Sequence, residues 1–360
     1  MLNNVAKKTF SWVDERFSLS PLIQFMQHKK VPVHRHMIWY YMGGVTLFLF
    51  MVQVATGILL LFYYQPGIST SHESIRFIMG NVKFGWLFRS IHNWSANLML
   101  FFAFLHMFSA FFLRAYKKPR EMTWLTGCLL LLFGMALGFS GYLLPWDELA
   151  FFATKVGTDI AGAVPLIGEP LKELLRGGTG VTGATLTRFY AFHVALFPAI
   201  FSSVLILHLA FIQRQGMHAP SYFEKLPLSQ RREIPFFPDF ILRDTLLWLI
   251  ILNVLLYLAV FWPVEVGLKA DPFTPAPAGI RPEWYFMFMF QTLKYIPGNI
   301  WFMEGEVVGV ISFGLLALAW LLVPFWELKA RPNWRWRPMN VIGVVVVAYI
   351  VIMTILGYSV

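Results

Sequence analysis

Seven apolar runs, each of about 20 residues, constrain this chain more than any other feature, because a helix of roughly that length crosses a hydrocarbon core about 30 Å thick. They fall near residues 37–64, 88–113, 122–143, 188–212, 244–263, 306–326 and 339–358 and are lettered A to G. Hydrophobic residues make up 58% of the chain and charged residues only 13%, against about 25% charged in a soluble domain. Water is not the solvent for most of this surface. The expected fold is all-α, a polytopic membrane protein with seven transmembrane helices.

The formal net charge of +10 would suggest nucleic acid as a partner for a soluble chain. In a lipid-embedded chain the positive-inside rule accounts for it, and no nucleic acid partner is expected. The N-terminal segment 1–36 and the B–C, D–E and F–G connections carry 19 Lys and Arg. The A–B, C–D and E–F connections, longer in total, carry 10 when Arg89 and Arg188 at the span ends are included. This bias places the N-terminus on the cytoplasmic (n) side and the C-terminus on the outer (p) side. An odd number of spans agrees. Residues 1–30 lack a signal-peptide core and cleavage site, so insertion is expected to rest on the first span. The single cysteine, Cys128, excludes an intrachain disulfide and any iron–sulfur cluster held by this chain's thiolates alone.

The connections divide the chain into an N-terminal arm (1–36), a four-helix unit of spans A–D (37–213) and a three-helix unit of spans E–G (214–360). The polar, Pro-containing D–E loop, 213–243, is the join. Two p-side connections are too long for turns, and long loops in compact proteins are usually functional. The C–D segment, 144–187, contains LKELLRGG and apolar–polar alternation, expected to form short interfacial helices. The E–F segment, 264–305, is rich in Pro and Gly.

Ionisable residues inside a membrane are rare and point to function. Five of the nine histidines, His28, His34, His36, His72 and His218, fall in polar flanks. The other four lie on spans B and D: His92 and His106 are 14 apart, His193 and His208 are 15 apart. On a helix, 14 steps return to within about 40° of the same face and 15 to within about 60°, with each pair separated by about 21–23 Å along the axis. Spans B and D run in the same direction. His92 is therefore level with His193 near the p side, and His106 with His208 near the n side. Two imidazoles facing each other at each level suit bis-histidine ligation of two b-type haems. Zinc fits poorly, since two nitrogens leave its tetrahedron half filled.

Span A carries Gly43 and Gly57, and span C carries Gly127 and Gly141; both pairs are 14 apart, the period of the histidines. A flat macrocycle needs close neighbouring backbones, which glycine permits; ordinary small-residue packing is the competing account. Arg89 and Arg188 precede the p-side histidines by three and five residues. They are placed either to pair with haem propionates or simply to snorkel to the interface.

The segments GGVTLFLFMVQVATG, FGWLFRSIHNWSANLML, KKPREMTWLTG, GYLLPWDE, LLRGGTGVTGATLTRFYAFH and PEWYF resemble cytochrome b of the cytochrome bc-type quinol oxidoreductases. The resemblance spans roughly residues 30–300, with the six motifs in order. The seven spans, and the 14 residues between His193 and His208, look more like the chloroplast type, with its separate subunit IV here fused through the D–E loop. The resemblance implies a p-side haem on His92 and His193 and an n-side haem on His106 and His208. It implies a quinol-oxidation site at Pro282, Glu283, Trp284 and Tyr285, with Glu283 carrying away a quinol proton. A carboxyl at an apolar pocket edge suits that role; an ion pair with Arg281 is the plainer account of Glu283. Tyr142 and the C–D segment would line the same site.

The implied function is a quinol:cytochrome c oxidoreductase subunit working by a Q cycle. One quinol electron goes to a Rieske iron–sulfur protein and then a c-type cytochrome, the other through both haems to an n-side quinone. The implied setting is a homodimeric complex in the bacterial cytoplasmic membrane. One departure limits the cofactor count. Where the chloroplast type attaches a covalent third haem through cysteine, this chain has Tyr41, and no such haem is expected. Gln213 and Arg214 also shift the basic residue after the last histidine. Two rivals stay open at this level: a di-haem anchor of another quinone-linked dehydrogenase or reductase, and a haem-free proton-coupled transporter.

Overall fold

A computed structural model of the chain describes residues 2–327 and 337–359. Lys329, Arg331 and Arg335, which supply most of the F–G charge, lie outside the described residues. The N-terminal arm forms helices α1 (Leu2–Phe17) and α2 (Leu19–His28) and strand β1 (Lys30–Pro32). There follow α3 (Tyr41–Leu61), α4 (Ser71–Gly80), α5 (Gly85–Leu113), α6 (Glu121–Tyr142), α7 (Glu148–Gly162) and α8 (Gly168–Arg176). The fourth span is α9 (Gly183–Ala191) continued into α10 (Phe197–Gln215) through a π turn at Phe192–Leu196. The C-terminal part comprises α11 (Ser221–Glu224), β2 (Glu233–Pro235), α12 (Ile241–Phe261) and α13 (Trp284–Tyr295). It ends with a short hairpin of β3 (Asn299–Ile300) and β4 (Met303–Glu304), then α14 (Gly305–Leu321), α15 (Val323–Trp326) and α16 (Pro338–Ser359).

The protein is an all-α integral membrane protein. Spans A, B, C, D, E and G form helices long and apolar enough to cross a bilayer. Span F departs from expectation. It is a 17-residue helix, α14, about 26 Å long, and it stops at Leu322 before the short α15. Pro324 lacks the N–H a continuous helix would need there. Span D also begins earlier than expected, at Gly183, because Thr182 and Thr185 form a reciprocal capping box that satisfies the first free amides.

α3 lies along α5 and α6 along α10, while α5 touches α6, closing a four-helix bundle. α12 covers α3 and α5, and α16 packs on α13 and α5. α5 and α10, the two histidine helices, pack more closely on their neighbours than on each other. A groove is left between them.

Each end of the bundle is tied by its own connections. At one end β1 pairs antiparallel with β2, Lys30 opposite Pro235, and Glu327 accepts ion pairs from Arg114 at 2.9 Å and Lys117 at 3.1 Å. At the other end Arg89 donates to the Val264 carbonyl at 2.6 Å and the Glu148 amide to the Leu268 carbonyl at 2.9 Å. The expected short helices of the C–D segment are α7 and α8, the first capped by Asp147. Besides α1 and α2 in the arm and α11 in the D–E loop, two further helices were not anticipated. α4 lies in the A–B connection, and α13 is a 12-residue apolar run, too short for a span, inside a segment whose Pro and Gly suggested loop.

Candidate functional site

The groove brings the four histidines together in the expected pairs. The His92 and His193 rings face each other with centroids 6.2 Å apart and planes at 77°. His106 and His208 lie within electrostatic reach of one another. The hydroxyl of Thr56 donates to the Val52 carbonyl at 2.7 Å, so its oxygen accepts from His92 Nδ1 at 2.9 Å. On α6, Thr126 repeats the arrangement, donating to the Met122 carbonyl at 2.8 Å and accepting from His208 Nδ1 at 3.0 Å. His193 Nδ1 donates to the Leu137 carbonyl at 3.0 Å. In all three rings Nδ1 therefore carries the hydrogen and Nε2 presents a lone pair, the state in which imidazole binds a metal. His106 Nδ1 is buried without a partner among the described residues.

The unequal histidine spacings are reconciled by the π turn, which contains His193 and closes with the Phe197 amide bonded to the Phe192 carbonyl. Pro198 follows and cannot donate to the Val194 carbonyl. A π turn takes up about one residue more than an α turn, so 15 residues on this helix span nearly the rotation of 14 on α5. His193 and His208 share a face because of it.

Each glycine backs one imidazole. A Cβ would come 2.6 Å from His193 Cε1 at Gly141, 3.0 Å from His106 at Gly43, and 3.3 Å from His92 at Gly57 and from His208 at Gly127. The close approach expected of these positions is to the histidine rings themselves. The residues fit a metal-centred group that two imidazoles would hold. The His92 and His193 centroids, 6.2 Å apart, leave the room that two metal–nitrogen bonds of about 2 Å each would take. Among the described residues no three His, Cys, Asp or Glu converge as a metal cage.

A cavity of about 540 Å³ opens between α3, α5, α6 and the π turn. His92, His193, Gly57 and Gly141 line it, and so do Tyr142, Asp147, Glu283 and Tyr285. Pro282 ends the preceding loop, and Glu283 occupies the N-cap of α13 with its side chain free of capping. Burial pushes the Glu283 carboxyl above the ordinary carboxylate range. Trp284 Nε1 donates to Asn97 Oδ1 on α5 at 2.9 Å, anchoring the motif to a histidine helix. Tyr285 turns into the bundle, where its hydroxyl lies so near Gly138 that a Cβ there would be 2.2 Å away. Arg281 donates to the Tyr358 carbonyl at 3.3 Å and lies 5.7 Å from that ring's centre.

Arg89 lines the cavity, but its guanidinium reaches the carbonyls of Val264 and Glu265. Arg188 is exposed, against Gly177 and Ala184. At the other end Tyr41 is buried, its ring stacked on Phe240 at 4.7 Å and 13°. Asn97, Thr56, Thr126 and Asp147 were missed in the sequence. The threonines precede Gly57 and Gly127 by one residue, a repeat that was legible beside the glycine pairs.

Two family models match. Residues 26–216 match cytochrome b/b6/petB and residues 269–360 match cytochrome b (C-terminal)/b6/petD. The chain is 46% identical over 349 residues to the cytochrome bc complex cytochrome b subunit of Chlorobaculum thiosulfatiphilum, covering 97% of this chain and 80% of that protein. It is 41% identical over 213 residues to cytochrome b6 of Synechococcus sp. (strain JA-3-3Ab), 59% of this chain and 99% of that one. Among solved structures it resembles a chain of a hyperthermophilic respiratory Complex III, with TM-score 0.85, 30% identity, and 97% and 91% of the two chains covered. With histidines, glycines and two matched halves in one polypeptide, this chain belongs to the cytochrome b family as a fused b6–subunit IV type, an electron-transport subunit of a cytochrome bc oxidoreductase complex.

Proposed function

We propose that the chain is the di-haem subunit of a quinol:cytochrome c oxidoreductase, with quinol oxidised at the p-side cavity and a quinone reduced near the n-side end. The carrying observation is the His92–His193 pair, faced at 6.2 Å with Nε2 free on both rings. His106 and His208 form the second site. Bound there, two b-type haems supply one-electron carriers at two depths of the membrane. The family matches end near residue 216 and resume at 269, which supports a division into an arm (1–36), a four-helix unit (37–213) and a three-helix unit (214–360).

At the p-side cavity Glu283 accepts a quinol proton, the role its burial favours. Trp284, held by Asn97, fixes the backbone that presents it. Tyr142 and Tyr285 shape the apolar wall. Tyr41 has no thiol for a covalent third haem, and its ring packs against Phe240 at the corresponding place. The loop charges favour an n-side N-terminus in a bacterial cytoplasmic membrane, with the C-terminus on the p side. A Rieske protein and a c-type cytochrome are the expected p-side partners in a homodimeric complex. A reduced-minus-oxidised optical spectrum of the purified complex tests the core of this reading. Two b-type components of distinct potential are expected, and absence of b-type absorbance would refute it.

A further inference from the structure

The cavity that holds Glu283 has a second carboxylate on its wall. Asp147 Oδ1 accepts the Ala150 amide at 2.9 Å, and the rest of the carboxyl lies against Gly267. Tyr142 is within electrostatic reach of both Glu283 and Asp147. Burial pushes the Asp147 carboxyl up, as it does Glu283, so both are able to hold a proton in transit.

His72, on α4, flanks the same glycine. It is 5% exposed, and Nε2 lies 2.9 Å from the Gly267 carbonyl. A carbonyl only accepts, so Nε2 carries the hydrogen and Nδ1 holds a lone pair. That Nδ1 is buried with no hydrogen-bond partner among the described residues, and Glu73 Oε1 stands 3.9 Å away. Glu73 is exposed and also lies 3.5 Å from Lys269 Nζ. The charged groups around the imidazole are thus Glu73 on its own helix, Asp147 at the start of α7, Lys269 from the segment before α13, and Arg89 from α5, which interacts with Asp147. A buried polar atom left unpaired needs a reason. Here it stands 3.9 Å from the surface carboxylate of Glu73, on an imidazole that also interacts with Asp147 on the cavity wall.

We propose that the proton accepted by Glu283 leaves the protein through Asp147, Nδ1 of His72 and Glu73. The route rests on the quinol-site reading above. Protonated Glu283 passes its proton to the Asp147 carboxylate. Asp147 passes it through bridging water to the Nδ1 lone pair of the neighbouring imidazole. The imidazolium gives it to Glu73, and Glu73 to bulk water. Each group regains its starting charge, and no oxidant or reductant is needed.

The test uses the intact complex with a short-chain quinol and cytochrome c as acceptor. His72→Gln keeps a donor for the Gly267 carbonyl but cannot take a proton. It is expected to lower turnover about tenfold, leave the haem spectrum and quinol KM unchanged, and recover when imidazole is added. Asp147→Asn is expected to slow turnover similarly. Wild-type turnover in His72→Gln, or a loss that imidazole does not restore, overturns the route. Glu283→Gln is run alongside. If it turns over normally, the quinol-site reading fails and the route with it. If it is slow while His72→Gln is not, only the route fails.

Discussion

Alanine at Gly141 and at Gly57 should separate sharply, although both glycines back ligands of the same proposed haem. A Cβ at Gly141 falls 2.6 Å from His193 Cε1, about 0.8 Å short of the 3.4 Å at which ordinary contact begins; at Gly57 the distance to His92 is 3.3 Å, short by about 0.1 Å. His193 cannot swing away cheaply, since its Nδ1 is bonded to the Leu137 carbonyl on the same helix as Gly141. The ring must lose that bond or be pushed across the groove toward His92, 6.2 Å away. Overpacking of this kind costs about 1–3 kcal/mol, so haem affinity at the p-side site should fall roughly 5- to 150-fold in Gly141→Ala. The loss in Gly57→Ala should be under about threefold. Haem-to-protein ratio by haemochrome assay, with redox titration to assign the missing component, reads the difference. Two haems with unchanged potentials in Gly141→Ala, or equal loss in both variants, would refute the reasoning that glycine is there for the imidazole.

Three further outcomes are expected. His106→Leu should remove one haem and leave the p-side component in place, by the same assay; loss of neither sinks the ligand assignment. Thr56→Val deletes the acceptor of His92 Nδ1, making the imidazole a weaker donor to the metal. At about 1 kcal/mol, the p-side potential should rise by roughly 40 mV, with haem content unchanged, in an equilibrium redox titration. Glu283→Gln should slow quinol oxidation without haem loss. In the wild type, turnover should fall as pH drops through the raised value of this carboxyl, and the variant should lack that acid limb. Because burial penalises the carboxylate, its stability contribution is greatest at low pH and is lost as pH rises through the raised value, so the variant should be no less stable at neutral pH. A midpoint below wild type in thermal unfolding at neutral pH would contradict this.

The spans and the histidine pairs were legible because they depend on local facts. A bilayer's thickness and the rise of a helix turn residue counts directly into depth and face, so apolar length and the 14-residue period needed no tertiary information. The glycine pairs were legible for the same reason, although their partner was the imidazole ring. What long-range packing decides was not legible. Pro324 ends α14 in a run that reads as one span, and α13 is concealed among Pro and Gly because its stability comes from packing against α16 and α14. Arg89 finds backbone carbonyls 175 and 176 residues away, and His72 meets a carbonyl 195 residues away. In the linear sequence Arg89 reads as a propionate partner or a snorkelling residue, and His72 as an ordinary polar residue of the A–B connection. The π turn at Phe192–Leu196 shows the same division. The sequence sets the two histidines 15 positions apart, and only the folded helix, widened beside Pro198 where an amide is missing, brings them back to one face.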